Sequence, residues 1–330
     1  MLTMVGRFAE TLEEGLRLGM ASDIRIQAAE IHNIYVSGMG GSGIGADFVH
    51  SFVRHELSVP FSVGKTYDIP GWIGPNTLFI ASSYSGNTEE TWSALQLAIQ
   101  KKARIVCVAS GGKILDKARE LNLDYVQLPS GWSSPRACLG FSLAAQLSIL
   151  VQSGLVSGEI LEKIKDTIAL LRSESDQIRE KASHLAAALE GKTIVIYSCD
   201  RTEPVAIRFR QQINENAKRL CWHHVIPEMN HNELVGWRTA SPDLAVLFLR
   251  HADDFDRNAF RIDLTKDLVS HFASSTIELF SRGNSLPERS LYLVHLLDYV
   301  SVFLAEKNGV DPVEVRVIDF LKSELESMIS

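Results

Sequence analysis

Three segments of the chain combine residue types able to move protons or stabilise charge. In Val225-Ile-Pro-Glu-Met-Asn-His-Asn-Glu-Leu-Val-Gly-Trp237, the residues Glu228, His231 and Glu233 fall between apolar anchors. Imidazole titrates near neutral pH, so His231 suits proton transfer. In Gln211-Gln-Ile-Asn-Glu-Asn-Ala-Lys218, Glu215 sits between Asn214 and Asn216 at the end of a helix whose apolar positions are Phe209, Ile213 and Ala217. A surface glutamate is the default for such a place. The flanking asparagines are odd choices for a helix selected only for stability, and they give Glu215 weight as a candidate base. In Pro135-Arg-Ala-Cys-Leu-Gly140, Arg136 stands between a proline-bounded loop and an apolar helix. A guanidinium there is placed to anchor an anion or a developing oxyanion.

A metal is not expected among these groups. An HExxH pattern needs a Glu and a second His at fixed places, and Asn232-Glu-Leu-Val does not supply them. His223 and His224 are adjacent, so in a strand they point to opposite faces.

Chemistry also needs a substrate held in place. Ile34-Tyr-Val-Ser-Gly-Met-Gly-Gly-Ser-Gly-Ile-Gly-Ala-Asp47 runs from an apolar strand through a glycine turn into a helix-like run. Glycines let the backbone approach a ligand, and the N–H groups at a helix N-terminus point at it. Gly41 and Ser42 are its contact candidates. Ser82-Ser-Tyr-Ser-Gly-Asn-Thr-Glu-Glu-Thr91 follows another apolar strand and offers Ser83, Ser85 and Thr88. Any one of these hydroxyls could be an ordinary turn or cap residue. Three in one loop point to one phosphate held from two sides, with Glu89 and Glu90 as helix-start residues favoured by the dipole.

Gly38-Met-Gly-Gly-Ser-Gly43 also satisfies the dinucleotide pattern GxGxxG. That fingerprint expects an acid about 20 positions on, after the next strand. Pro60-Phe-Ser-Val-Gly-Lys65 has a lysine there. A P-loop would end in Gly-Lys-Ser/Thr, and a nucleophile elbow would read GxSxG. Neither fits, and a smaller phosphate ester remains.

The elements that must position these residues alternate. Asn33–Ser37, Phe61–Val63, Thr77–Ala81, Arg104–Val108 and Tyr125–Leu128 read as strands, with helices over Phe48–Arg54, Glu89–Lys101, Lys113–Leu121 and Cys138–Ser153. The pattern restarts with strands over Thr193–Ser198, Asp243–Leu249 and Thr276–Phe280, and helices over Glu203–Lys218, Leu286–Lys307 and Val315–Met328. Such alternation implies parallel sheets covered on both faces. The expected division is an α/β domain over 1–155, a helical connector over 156–190 and a second α/β domain over 191–330, with a cleft between the domains.

The 330 residues are 45% hydrophobic and 22% charged, with a net charge of −7, which argues against a nucleic-acid or anionic-membrane binder. Cys107, Cys138, Cys199 and Cys221 form no CxxC pair and read as reduced thiols of a cytoplasmic protein. The N-terminal residues do not read as a signal peptide, and no apolar run approaches the ~18 residues of a spanning helix.

Taken in order, Gly38–Gly43, Ser83–Thr91, Pro135-Arg136, Asn214-Glu215-Asn216, Glu228–Glu233, Asp311-Pro312 and Ile318–Lys322 resemble the bifunctional phosphoglucose/phosphomannose isomerases, built from two sugar isomerase (SIS) domains of three αβα layers. The resemblance implies an isomerase of glucose 6-phosphate and fructose 6-phosphate, and of mannose 6-phosphate, in glycolysis or gluconeogenesis, with no cofactor. It implies that Gly41, Ser42, Ser83, Ser85 and Thr88 hold the phosphate. Glu215 would be the base and Arg136 the enediolate partner. His231 would assist ring opening from the partner subunit of a homodimer, with Lys322 nearby. The family is thought to use a C-terminal threonine for the mannose substrate, and Pro312-Val-Glu-Val-Arg316 has no hydroxyl. The alternative is a regulatory SIS protein that binds sugar phosphates without turning them over. Such a protein needs the loops but not Glu215, His231 and Arg136.

Overall fold

The computed structural model describes residues 1–328. The chain divides into two compact units, one of Thr3–Ser175 with Arg282–Tyr292, the other of Asp176–Ser281 with Leu293 onward and Met1–Leu2.

In the N-terminal unit, α1 (Leu2–Gly6) and α2 (Phe8–Ala21) precede β1 (Asn33–Ser37). There follow α3 (Gly40–Val53), β2 (Phe61–Gly64), β3 (Thr77–Ser82), α4 (Glu89–Gln100), β4 (Arg104–Ala109), α5 (Gly112–Glu120), β5 (Asp124–Gln127), α6 (Leu139–Gln152) and α7 (Glu159–Ser173). The strands form one parallel sheet in the order β2-β1-β3-β4-β5. β3 is buried at every position, as a strand covered on both faces must be.

Right-handed crossovers put helices on opposite faces when the chain winds in opposite directions from β1. Tyr35, Phe79, Ala81 and Cys107 accordingly pack against Leu95 and Ala98 of α4 and Ile114 and Leu115 of α5. On the other face α6 packs against α2 and α3 and is buried at every residue from Leu139 to Leu150. A helix apolar all round belongs in such a place.

The C-terminal unit runs α8 (Ser175–Leu189), β6 (Thr193–Cys199), α9 (Glu203–Glu215), β7 (Trp222–Ile226), β8 (Ser241–Arg250), α10 (Asp256–Ser270), β9 (Ala273–Phe280), α11 (Leu286–Lys307) and α12 (Arg316–Ser327). Its sheet is also parallel, in the order β7-β6-β8-β9. Val195, Tyr197, Val246 and Phe248 pack on Ile262 and Val269 of α10 and on Met229 and Trp237 of the segment after β7. α9 crosses between β6 and β7 and is tied to α11, where Asn216 donates to Ser301 Oγ at 2.8 Å. Both units are three-layer αβα arrangements.

Several boundaries differ from expectation for local reasons. α3 begins at Gly40, inside the glycine turn and not at Phe48, so the turn is itself the first turn of the helix. The expected connector is two helices, α7 and α8, and the units divide between them. α2 and α10 were not among the expected elements.

A buried ion pair joins α9 to α11. Arg208 donates Nε to Asp298 Oδ1 at 3.0 Å and Nη2 to Oδ2 at 2.5 Å, both side chains being almost fully enclosed. Removing one partner of such a pair leaves an uncompensated charge, which costs about 3–5 kcal/mol. Arg208→Met is therefore expected to lower the urea midpoint of unfolding strongly. An unchanged midpoint would show that the pair contributes nothing to stability.

Candidate active site

In open parallel sheets, ligands bind beyond the carboxyl ends of the strands, at the point where the strand order reverses. In the first sheet that point lies between β1 and β3, which pair with Ser37 opposite Ala81. The chain leaves β1 into the glycine turn and leaves β3 into the Ser83–Thr88 loop. Both expected loops are thus side by side at this crevice.

The second loop is firmly built. Ser83 Oγ lies 2.7 Å from Thr88 Oγ1 and accepts the Gly86 N–H at 3.1 Å. Ser85 Oγ accepts from the Asn87 N–H at 3.2 Å. Thr88 occupies the N-cap position of α4, yet its hydroxyl caps nothing and turns to Ser83. Gly86 has φ of +70°, and a Cβ there would meet the Gly111 carbonyl oxygen, so only glycine fits. Tyr84 anchors the loop by donating to the Pro129 carbonyl at 2.9 Å, and burial pushes its hydroxyl pKa up to about 12. Ser83 is buried, while Ser85 faces solvent.

Across the crevice, Met39 precedes the first turn of α3, with Gly41 and Ser42 in that turn. No partner takes the Ser42 hydroxyl among the described residues. A Cβ on Gly41 would lie 3.3 Å from the Pro135 carbonyl oxygen and 3.5 Å from Arg136 Cα. The 3-10 turn Pro135–Cys138 therefore lies against the glycine turn, and Arg136, 7% exposed, is part of the same assembly. Two helix N-termini, four hydroxyls and one guanidinium-bearing turn converge here, a combination that suits an anion. Lys65, which stands where a dinucleotide site would have its acid, pairs with Asp47 of α3 at 2.5 Å.

The remaining candidates lie in the C-terminal unit. Glu215 ends α9 and lines a pocket of about 350 Å³ with Asn214, Lys218, Glu314, Val315 and Ile318. Lys218 donates to the Glu314 carbonyl at 2.6 Å, so the segment just after α9 is tied to the residues just before α12. Lys322 stands one turn beyond Ile318 on α12 and is exposed. His231 ends the 3-10 turn Glu228–His231 that follows β7, and it too is exposed.

These positions are not adjacent within the unit. α9 runs antiparallel to the strands and delivers Glu215 to the amino edge of the sheet. His231 follows the carboxyl end of β7. At about 3.3 Å per residue, the five residues of β7 alone separate the two edges by roughly 15 Å.

Two neighbours of His231 are engaged elsewhere. Glu233 accepts from the Tyr197 hydroxyl and the Trp222 indole, and Glu228 accepts from the Asn232 amide. Both carboxylates thus have hydrogen-bond partners within the unit. The Tyr197–Glu233 bond was not legible in the sequence, because its partners are 36 positions apart. Among the described residues, no three His, Cys, Asp or Glu side chains gather as a metal set, and no helix is long and apolar enough to cross a membrane.

Residues 28–134 match the SIS domain family, and residues 178–325 match the bacterial phospho-glucose isomerase C-terminal SIS domain. A bifunctional phosphoglucose/phosphomannose isomerase of Caldicellulosiruptor bescii is 36% identical over 98% of each chain. One of Aquifex aeolicus is 36% identical over 92% of this chain and 93% of its own. The solved C-terminal domain of glucosamine-fructose-6-phosphate aminotransferase from Francisella tularensis superposes with a TM-score of 0.73, covering 94% of this chain and 96% of that one. At 14% identity, that likeness speaks to the fold alone. Near full-length identity to the first two relatives places the molecule by descent: the chain belongs to the bifunctional phosphoglucose/phosphomannose isomerase family.

Proposed function

We propose that the protein is an aldose–ketose isomerase that interconverts glucose 6-phosphate and mannose 6-phosphate with fructose 6-phosphate. The observation that carries this reading is the anion cradle at the reversal point of the first sheet, with Arg136 beside it. Relatives of the same length are named for this activity.

In this reading Gly41, Ser42, Ser83, Ser85 and Thr88 hold the 6-phosphate. Ring opening takes a proton from one sugar oxygen and gives one to another, a task for His231 and Lys322. Glu215 then removes the proton from C2 of the open aldose. The electron pair left behind becomes the C1–C2 double bond of a cis-enediolate, and the charge moves to oxygen beside Arg136. Interaction that strengthens only as charge develops lowers the barrier. Glu215 returns the proton to C1 as the hydroxyl proton on O2 passes to O1, giving the C2 ketone. Oxidation at one carbon is matched by reduction at its neighbour, so no redox cofactor or metal is needed.

We further propose a cytoplasmic homodimer in which His231 serves the partner's site. Two features support it. Glu215 and His231 of one unit stand at opposite edges of their sheet. The turn carrying His231 is bonded through Asn230 to Thr265 of α10 at 2.9 Å, and the outer face of that helix exposes Phe260 at 63% and Leu264 at 55%. Such a patch suits a protein interface. A two-fold, antiparallel pairing of α10 would set Arg261 against Asp267 of the second copy.

Glu215→Gln is expected to reduce turnover of fructose 6-phosphate by about 10²–10⁴-fold, the range of general acid–base catalysis, with little change in substrate affinity. Undiminished turnover would remove Glu215 as the base. Ser83→Ala combined with Ser85→Ala should instead raise KM by about tenfold and leave kcat within a few-fold, since lost uniform binding appears in KM. A fall in kcat at unchanged KM would count against the phosphate assignment. Light scattering should give a dimer for the native chain and a monomer of much lower activity for Leu264→Glu. A fully active monomer would exclude a crossing His231.

A further inference from the structure

The segment that carries His231 is held from several sides while the imidazole stays outside. Met229 is fully buried among Val195, Tyr197 and Phe248. Asn230 donates to Thr265 Oγ1 at 2.9 Å. Asn232 holds the turn locally, its amide donating to Glu228 Oε1 at 2.9 Å and its Oδ1 accepting the Glu233 N–H at 2.6 Å. Glu233 Oε1 accepts from the Tyr197 hydroxyl at 2.5 Å and from the Trp222 indole N–H at 3.1 Å. The Trp237 indole in turn donates to the Tyr197 oxygen at 2.9 Å. His231 lies between Asn230 and Glu233, and its ring has no hydrogen-bond partner among the described residues.

We propose that Glu233, gripped by Tyr197 and Trp222, is a positioning residue that fixes His231 for sugar ring opening; this rests on the ring-opening role proposed for His231. A polar network here is not what stability alone would choose. The Tyr197–Glu233 bond is only partly enclosed, and such a bond contributes little net stability. A bonded carboxylate instead fixes direction, because charge-assisted hydrogen bonds are short and demand geometry. Burial and the Glu233 carboxylate both raise the Tyr197 pKa, so the phenol keeps its proton and remains a donor. The grip fastens β6 and the start of β7, through Tyr197 and Trp222, to one oxygen of the residue that closes the His231 turn. His231 can then be exposed and still fixed, which a side chain reaching out of its own unit requires.

The test is a double-mutant cycle on the full-length protein with fructose 6-phosphate as substrate. Glu233→Ala should lower kcat by about 10–10²-fold at nearly constant KM, the penalty of a misplaced catalytic group. In a His231→Ala background the same change should cost less than about twofold further, since the two would act as one unit. Glu233→Gln retains the acceptor oxygen and should recover most of the loss. Tyr197→Phe leaves the carboxylate in place and should repeat the pattern if Glu233→Ala does not fold. An equal loss in both backgrounds, or none at all, would overturn the positioning role. Native turnover from His231→Ala would overturn the assignment of His231 and this role with it. Absence of fructose 6-phosphate turnover by the native chain would mark a failure of the isomerase reading, distinct from either.

Discussion

An anion leaves water only where donors already converge on it, and the N-terminal unit is built so that donors converge. Side chains alone would supply donors at a high cost in ordering. Parallel strands supply them through the fold, because each strand delivers its chain to the amino end of a helix. Winding outward in both directions from β1 leaves a gap between β1 and β3 that no crossover covers. The turn after β1 and the loop after β3 border that gap, and both end in helix N-termini. The Ser83–Thr88 hydroxyl pair and the Gly86 amide bonded to Ser83 hold the second loop in shape through its own hydrogen bonds. A loop braced in this way loses less freedom when it meets a ligand.

The C-terminal unit solves a different problem with the same architecture. Its reversal point, between β6 and β8, is flanked by Asp200, Glu203, Asp253 and Asp254, and Arg201 and Arg250 there are bound to carboxylates. That crevice does not suit an anion. The candidate base sits at the other edge, where α9 ends beside the start of α12. Duplication of a fold has therefore not duplicated a site. One unit gathers donors at its reversal point, and the other places its candidate residues at helix ends and in the turn after β7.

Much of this was legible in the sequence because both cradle loops are local. A glycine turn after a strand, and three hydroxyls after another, declare themselves within ten residues. The strands of the first sheet fall almost where their apolar runs do, since burial on both faces leaves little choice of residue. α10 escaped notice for a physical reason. Its buried face is Ile262, Thr265 and Val269, while Phe260, Leu264 and Leu268 lie outside, so its apolar residues surround the helix and blur the period. The hydrogen-bond partners of Glu233 were not legible, because Tyr197 and Trp222 stand on strands that sequence spacing does not bring together. The separation of Glu215 from His231 was equally invisible, since 16 positions of chain can fold back or run across a sheet.

The pocket beside Glu215 bears on the second substrate. Its wall from α12 is made of Val315, Val317 and Ile318, and Leu220 adds a further apolar side. Glucose and mannose 6-phosphates differ only in the C2 configuration. A site that hydrogen-bonds one hydroxyl rejects an analogue strongly, because the unmet partner stays buried. An apolar wall has no such partner to leave unmet and discriminates weakly. The lack of a hydroxyl in Pro312–Arg316 thus removes one means of turning the intermediate, and it also removes one means of refusing the epimer. Both aldoses converge on an enediolate in which C2 is planar. The choice of product from such an intermediate rests on which face of that plane receives the proton.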